Sequence, residues 1–226
     1  MAPRAMAFAV AAPLVGGAPA GRPLATPSRR AVAAGAAAAP RRAARLVTPP
    51  VMGIAVVYAS TTGNCADVAE MIASDLGGTI VDAVVEVGDT TPSALAAYDG
   101  LVVGAPTWNT GADVERSGTD WDNFLYEELD KVSFEGKSVA VFGTGDSVSY
   151  GDYFADAIAE LHGRFEARGA KMVGAVPVDG YQHTESKAQV GEVFMGLPLD
   201  QDNEDDLTPG RVKAWCDQLR AEAGWA

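Results

Sequence analysis

Apolar and polar positions fall into alternating blocks along residues 51–226. The run GIAVVYAS at 53–60 is almost continuously apolar and rich in β-formers, the pattern of a strand covered on both faces. In the next block Val68, Ile72 and Leu76 recur every four residues before Gly77-Gly78, which predicts a helix over 64–76. The alternation continues. Strands are expected at 79–85, 101–104, 138–142 and 172–176, and helices at 92–97, 119–130, 153–169 and 208–223. Pro92 and Pro209 suit first helical turns, and Thr119 or Asp120 suits a cap. Residues 177–207 read as irregular, with no sustained period. Strands alternating with helices imply βαβ units and right-handed crossovers. The expected architecture is therefore α/β: a doubly wound, five-stranded parallel sheet with helices on both faces, in one domain spanning 51–226.

Residues 1–50 follow a different pattern. They hold seven arginines, many alanines and prolines, and no Asp, Glu, Lys or His. Arg-rich, acid-free composition without a helical or strand period is the mark of an organelle transit peptide. Residues 5–15 (AMAFAVAAPLV) also resemble a signal-peptide core, which fits a plastid reached through the secretory route. The alternative is a basic tail without structure. Cleavage is expected near 43–52.

The charge balance sharpens this division. Seven of the 17 basic residues lie in the first fifty positions, leaving ten against all 30 acidic residues, so the body carries −20. Such a body repels nucleic acid and anionic membrane, and attracts basic partners in a salt-sensitive way. A composition 48% hydrophobic and 21% charged is that of a soluble globular chain, and no uninterrupted apolar run is long enough for a membrane span. Two cysteines, Cys65 and Cys216, make neither a disulfide framework nor a zinc site. With only His162 and His183, histidine catalysis and His-rich metal sites are poor readings. His183 is expected on the surface, His162 on a helix, and Cys216 in the core.

In an open parallel sheet, ligands bind beyond the carboxyl ends of the strands. After the first strand comes Ser60-Thr61-Thr62-Gly63-Asn64-Cys65, a run of hydroxyl and thiol side chains at a helix N-terminus. Free N–H groups and the positive dipole end make this an anion cradle. It is neither GxGxxG nor GxxxxGK[ST], and without a lysine it suits a phosphate monoester better than a triphosphate. A plain capped turn is the simpler alternative. After the third strand comes Ala105-Pro106-Thr107-Trp108-Asn109-Thr110-Gly111, and after the fourth Gly143-Thr144-Gly145-Asp146-Ser147-Val148-Ser149-Tyr150-Gly151-Asp152. Trp108 and Tyr150 thus come from neighbouring loops at one sheet edge, placed to clamp a flat conjugated ring. Either aromatic alone reads more simply as a packed loop residue.

The segments STTGN, APTWNTG and GTGDSVSYGDYFADA, in this order, resemble the three FMN-binding loops of flavodoxins. Residues 179–208 resemble the insertion that splits the fifth strand of long-chain flavodoxins, and the likeness extends from about Gly53 to Ala223. The resemblance implies a flavodoxin-like sheet of order 2-1-3-4-5. It implies FMN phosphate at Ser60–Cys65, and the isoalloxazine stacked between Trp108 and Tyr150. The backbone of Thr107–Gly111 and of Gly143, Thr144, Gly145 and Asp146 would bond its edges. Cys65 stands where the family usually has Thr, and Ala66 where an acid is common. A lost hydroxyl donor nets roughly 0.5–1.5 kcal/mol, so FMN binding weaker by at most about tenfold is expected. A thiol at a helix N-terminus is also open to a lowered pKa and oxidation, although a tolerated substitution covered by FMN is the simpler view.

The resemblance further implies a low-potential one-electron carrier, shuttling between semiquinone and hydroquinone, and not an enzyme. A carboxylate about 10 Å from the flavin disfavours its added negative charge by roughly 0.8 kcal/mol at an effective dielectric of about 40. The Asn109–Thr110 peptide would turn to accept from reduced N5, with β-branched Thr110 limiting that turn. Acidic residues Asp113, Glu115, Asp146, Asp152 and those of 200–206 would dock a monomeric carrier to basic faces. Photosystem I and ferredoxin–NADP reductase are the partners so implied, in the chloroplast stroma in preference to a mitochondrion. The main alternative is an FMN-dependent NAD(P)H quinone reductase of the same fold. A receiver-type signalling module lacks its acidic cluster after the first strand and its aspartate after the third.

Overall fold

The computed structural model describes residues 53–225. The transit segment assigned to residues 1–50 lies outside them. Five strand positions form one parallel sheet: β1 (Ile54–Tyr58), β2 (Val81–Glu86), β3 (Gly100–Pro106), β4 (Ser138–Thr144) and β5 (Lys171–Val173), in the order β2-β1-β3-β4-β5. Helices α1 (Asn64–Leu76), α2 (Pro92–Leu95), α3 (Asp120–Asn123), α4 (Ala157–Ala167) and α5 (Thr208–Ala223) connect them. This is the doubly wound α/β sheet expected from the alternating pattern, in the strand order that the resemblance implied.

The central strands β1, β3 and β4 carry the core because both of their faces are covered. Val56, Val57, Leu101, Val102, Val103, Val139, Ala140 and Val141 have no exposed surface. Val68, Ile72 and Leu76 form the buried stripe of α1, as their spacing predicts. Beside α1 lies α5, whose Cys216 is buried with its Sγ toward the Ile72 carbonyl. Trp121 of α3 packs edge-on to Phe165 of α4, and its Nε1–H donates to the Gly104 carbonyl at 2.8 Å. The indole thus fills volume and satisfies its one donor at once.

Three expectations are corrected. The helix read over 119–130 breaks after one turn: Thr119 caps it through its hydroxyl, but 124–128 widen into a π turn and 129–131 tighten into a 3₁₀ turn. Arg164 takes the Leu125 carbonyl, removing an acceptor from the α pattern. The helix read from 153 starts only at Ala157, because Ala155 takes a left-handed φ of 54°. Residues 177–207 are not irregular. They contain β7 (Gln189–Val190) and β8 (Val193–Phe194), which join β6 (Val176–Pro177) in a small antiparallel sheet, and β9 (Leu197–Leu199), which pairs with β4. The fifth strand is therefore split: β5 pairs with the first half of β4 and β9 with its second half.

Gly104 faces the Phe142 ring so closely that an added Cβ would lie 2.0 Å from it. Both residues are central and Phe142 is fully buried. Gly104→Ala is expected to cost about 1–3 kcal/mol through overpacking, read as a lower urea midpoint at unchanged slope.

Candidate functional site

The parallel register levels the strand ends. Tyr58 lies beside Gly104, and Pro106 beside Thr144, so the loops after β1, β3 and β4 open at one edge. They enclose a cavity of about 350 Å³ lined by Thr62, Asn64, Pro106, Thr107, Trp108, Thr110, Thr144, Gly145, Asp146, Tyr150, Tyr153 and Asp202.

Nine of these residues were singled out from the sequence. The other candidates shape the loops from behind. Ser60 Oγ accepts from the Gly63 N–H at 3.1 Å, and Gly63 takes φ 102° as it enters α1, a conformation that favours glycine. Thr61 is exposed at the loop tip. The first N–H groups of α1 lack intrahelical acceptors, which leaves an anion-binding end beside Thr62 and Asn64. Asn109 turns back on its own loop, its Nδ2 donating to the Glu115 carbonyl at 2.6 Å. Gly111 approaches the Tyr153 ring, and Gly143 lies under Ile158. Thr107, which does line the cavity, also accepts at its hydroxyl oxygen from the Ala157 N–H at 3.0 Å, at the start of α4.

Cys65 departs from expectation. It is buried beneath the cradle, with Sγ 3.1 Å from Thr144 Oγ1, and does not line the cavity. Burial pushes its thiol up to about 12, which overturns the alternative of a lowered pKa at the helix N-terminus. His183 is likewise not a free surface residue: its ring packs against Phe154 and Phe194, and Nε2 meets Gln189 Oε1 at 2.7 Å.

Pro106, Tyr153 and Asp202 were missed. Tyr153 was read as the first residue of a helix, though a second aromatic three residues after Tyr150 was a usable signal. Asp202 reaches the site because β9 brings the chain back beside β4.

The two aromatics are half bare. Trp108 is 50% and Tyr150 54% exposed, and Val148 beyond them is 72% exposed. Large rings so open at a cavity mouth mark a surface that meets another molecule. The Tyr150 loop is held by carboxylates. Asp146 Oδ1 accepts from the Val148 and Ser149 N–H groups at 3.0 and 2.7 Å, and from Asn203 Nδ2. Asp200, fully buried, accepts from the Ser147 N–H and hydroxyl at 2.8 and 2.7 Å, and from the Asp202 and Asn203 N–H groups. Burial alone would raise both carboxyls. The hydrogen bonds from Ser149 and Asn203, and from Ser147 and Asn203, hold Asp146 and Asp200 below the usual range. Asp200 is thus a structural acceptor and not the docking charge expected of it. Glu204 is also committed, to Arg211 at 2.6 Å.

The flavodoxin family profile matches residues 56–215. The chain belongs to the flavodoxin family. It is 40% identical to the flavodoxin of Synechococcus elongatus over 171 residues, covering 76% of this chain and 98% of that one. A Nostoc flavodoxin is 43% identical over 171 residues, covering 76% and 97%. Among solved structures, Fusobacterium nucleatum flavodoxin bound to flavin mononucleotide is similar at TM-score 0.68 and 26% identity, covering 76% of this flavodoxin and 98% of that chain.

Asp200→Asn puts an amide NH₂ where a carboxylate oxygen accepts backbone protons. The variant is expected to lose about 2 kcal/mol at neutral pH. Because the folded carboxyl titrates below its unfolded value, its stabilisation is full above the unfolded pKa and is lost as pH falls through the folded one. The difference between wild type and variant in urea denaturation should therefore shrink as the medium is acidified.

Proposed function

We propose that this flavodoxin holds one FMN in the 350 Å³ cavity and carries single electrons between redox proteins with basic docking faces. The observation that carries this reading is the pair of half-exposed aromatics, Trp108 and Tyr150, at a cavity that ends on the N-terminus of α1. The donor set fits the cofactor. Thr62, Asn64 and the free N–H groups of α1 suit a phosphate monoester, and the aromatic walls suit a conjugated ring.

Bound FMN supplies the redox chemistry. Trp108 and Tyr150 hold the ring system and exclude water from it. The Asn109 carbonyl accepts from the Ala112 N–H at 3.1 Å, and by turning the Asn109–Thr110 peptide it would be available to accept from a bound flavin instead. The surplus of carboxylates disfavours added negative charge on the ring, which lowers its reduction potential. Asp113 and Asp152, on the two aromatic loops, are exposed and would supply acidic docking charge. With an organelle address in residues 1–50, the protein would act in the plastid stroma. It would take electrons from photosystem I and pass them to ferredoxin–NADP reductase in place of ferredoxin.

Anaerobic photoreduction of the purified chain with FMN tests the carrier reading. A long-wavelength band of one-electron-reduced flavin should rise and then fall. Direct passage to fully reduced flavin, with turnover of NADPH by the protein alone, would favour a quinone reductase. Trp108→Ala should weaken FMN binding about tenfold in fluorescence titration, because stacking adds to apolar burial.

A further inference from the structure

Glu160, on the first turn of α4, is only 7% exposed, yet among the described residues it forms no ion pair. A buried carboxylate without a cation persists only when other donors satisfy it. Here they are backbone. Glu160 Oε1 accepts from the Glu115 N–H and Oε2 from the Arg116 N–H, both at 2.7 Å, and the Tyr126 phenol also donates to Oε1. Burial, and after it the bond and charge of Glu160, push the Tyr126 hydroxyl up to about 12.

The dipeptide so held is a special one. Glu115 sits at φ 57°, a left-handed conformation that a residue with a Cβ adopts only under constraint. The N–H groups of Glu115 and Arg116 point to Glu160, while their carbonyls serve the loop carrying Trp108. The Arg116 carbonyl accepts from the Trp108 and Asn109 N–H groups at 3.2 and 3.1 Å, and the Glu115 carbonyl accepts from Asn109 Nδ2. Each of these bonds from Trp108 and Asn109 therefore ends on a carbonyl of one of the two residues whose N–H groups Glu160 holds. A second tie comes from the insertion: Lys187 Nζ donates to the Ala112 carbonyl at 2.7 Å and lies 3.6 Å from Asp113. Neither Glu160 nor Lys187 lines the flavin cavity.

We infer that Glu160 is a positioning residue for the flavin site, with Lys187 as its weaker partner. Together they fix the loop from Ala112 to Arg116, which fixes the backbone of Trp108 and leaves the Asn109–Thr110 peptide held only through its carbonyl, by the Ala112 N–H. The consequences for flavin binding rest on the FMN reading above. The consequence for the loop does not.

Three proteins test it: wild type, Glu160→Gln and Lys187→Met, each as the full chain. Gln keeps the size of Glu but turns an NH₂ toward one of the two N–H donors. Without FMN, amide exchange at Trp108 and Asn109 should quicken at least tenfold in E160Q and about threefold in K187M, while amides of β4 keep their wild-type rates. With FMN, the dissociation constant should rise about tenfold in E160Q, and the separation of the two one-electron potentials should narrow. Wild-type exchange at Trp108 and Asn109 in E160Q overturns the inference, whatever happens to the melting temperature. Lower thermal stability with unchanged FMN affinity and unchanged potential separation also overturns it, by reducing Glu160 to a fold residue. Should E160Q fail to fold, K187M decides, since its side chain is partly exposed at the surface, and wild-type exchange there overturns the inference. If wild type itself binds no FMN, the FMN reading fails while the exchange result still judges the loop anchor.

Discussion

Everything at the site depends on the shared register of β1, β3 and β4. Parallel pairing leaves their carboxyl ends at one height, with Pro106 beside Thr144 and Tyr58 beside Gly104. Three loops separated by tens of residues then open on the same edge. The register is enforced from within, because all three strands are buried on both faces. A slip by one residue would turn every side chain to the opposite face and drive Phe142 into a neighbour other than Gly104.

Loops that meet at an edge still have to be held in shape. This chain does so with carboxylates that accept backbone N–H groups. Asp146 and Asp200 hold the Tyr150 loop, and Glu160 holds the far half of the Trp108 loop. Charge-assisted bonds of this kind are stronger than neutral ones and are directional. The acidic surplus of the body is therefore not a uniform docking charge. Part of it is turned inward to hold the loops, while other carboxylates, Asp113 and Asp152 among them, face solvent.

The insertion is part of the same device. Its Thr184 and Glu185 N–H groups both donate to the Gly151 carbonyl at 3.0 Å, one residue beyond Tyr150, and its Lys187 reaches the loop after Trp108. Phe154, Tyr181, His183 and Phe194 form the aromatic cluster that fastens the insertion to the body. A segment that breaks the fifth strand is thus tied to both aromatic loops, that of Trp108 and that of Tyr150.

Much of this was legible in the residues. The apolar run before STTGN, the four-residue spacing of α1 and the two aromatic loops define the α/β class, the strand order by resemblance, and most of the cavity lining. Those features are local: periodicity and turn chemistry are written in neighbouring positions. What the sequence could not show was decided by contacts between distant segments. Cys65, a candidate for the cradle, is buried against Thr144, a residue far along the chain. Asp200 became a loop anchor because β9 pairs with β4. The helix at 153 starts late because Thr107 caps it at Ala157 and Ala155 breaks it. Glu160 carries no local mark at all, since a glutamate in a helical first turn reads as a solvated face. By itself the sequence determined the main strands, the helix after β1, the last helix and the loops that open at the sheet edge, because those depend on near neighbours. Only the tertiary structure decided which polar groups face the ligand and which hold the loops that do, because that choice depends on which donors the fold brings within hydrogen-bond reach.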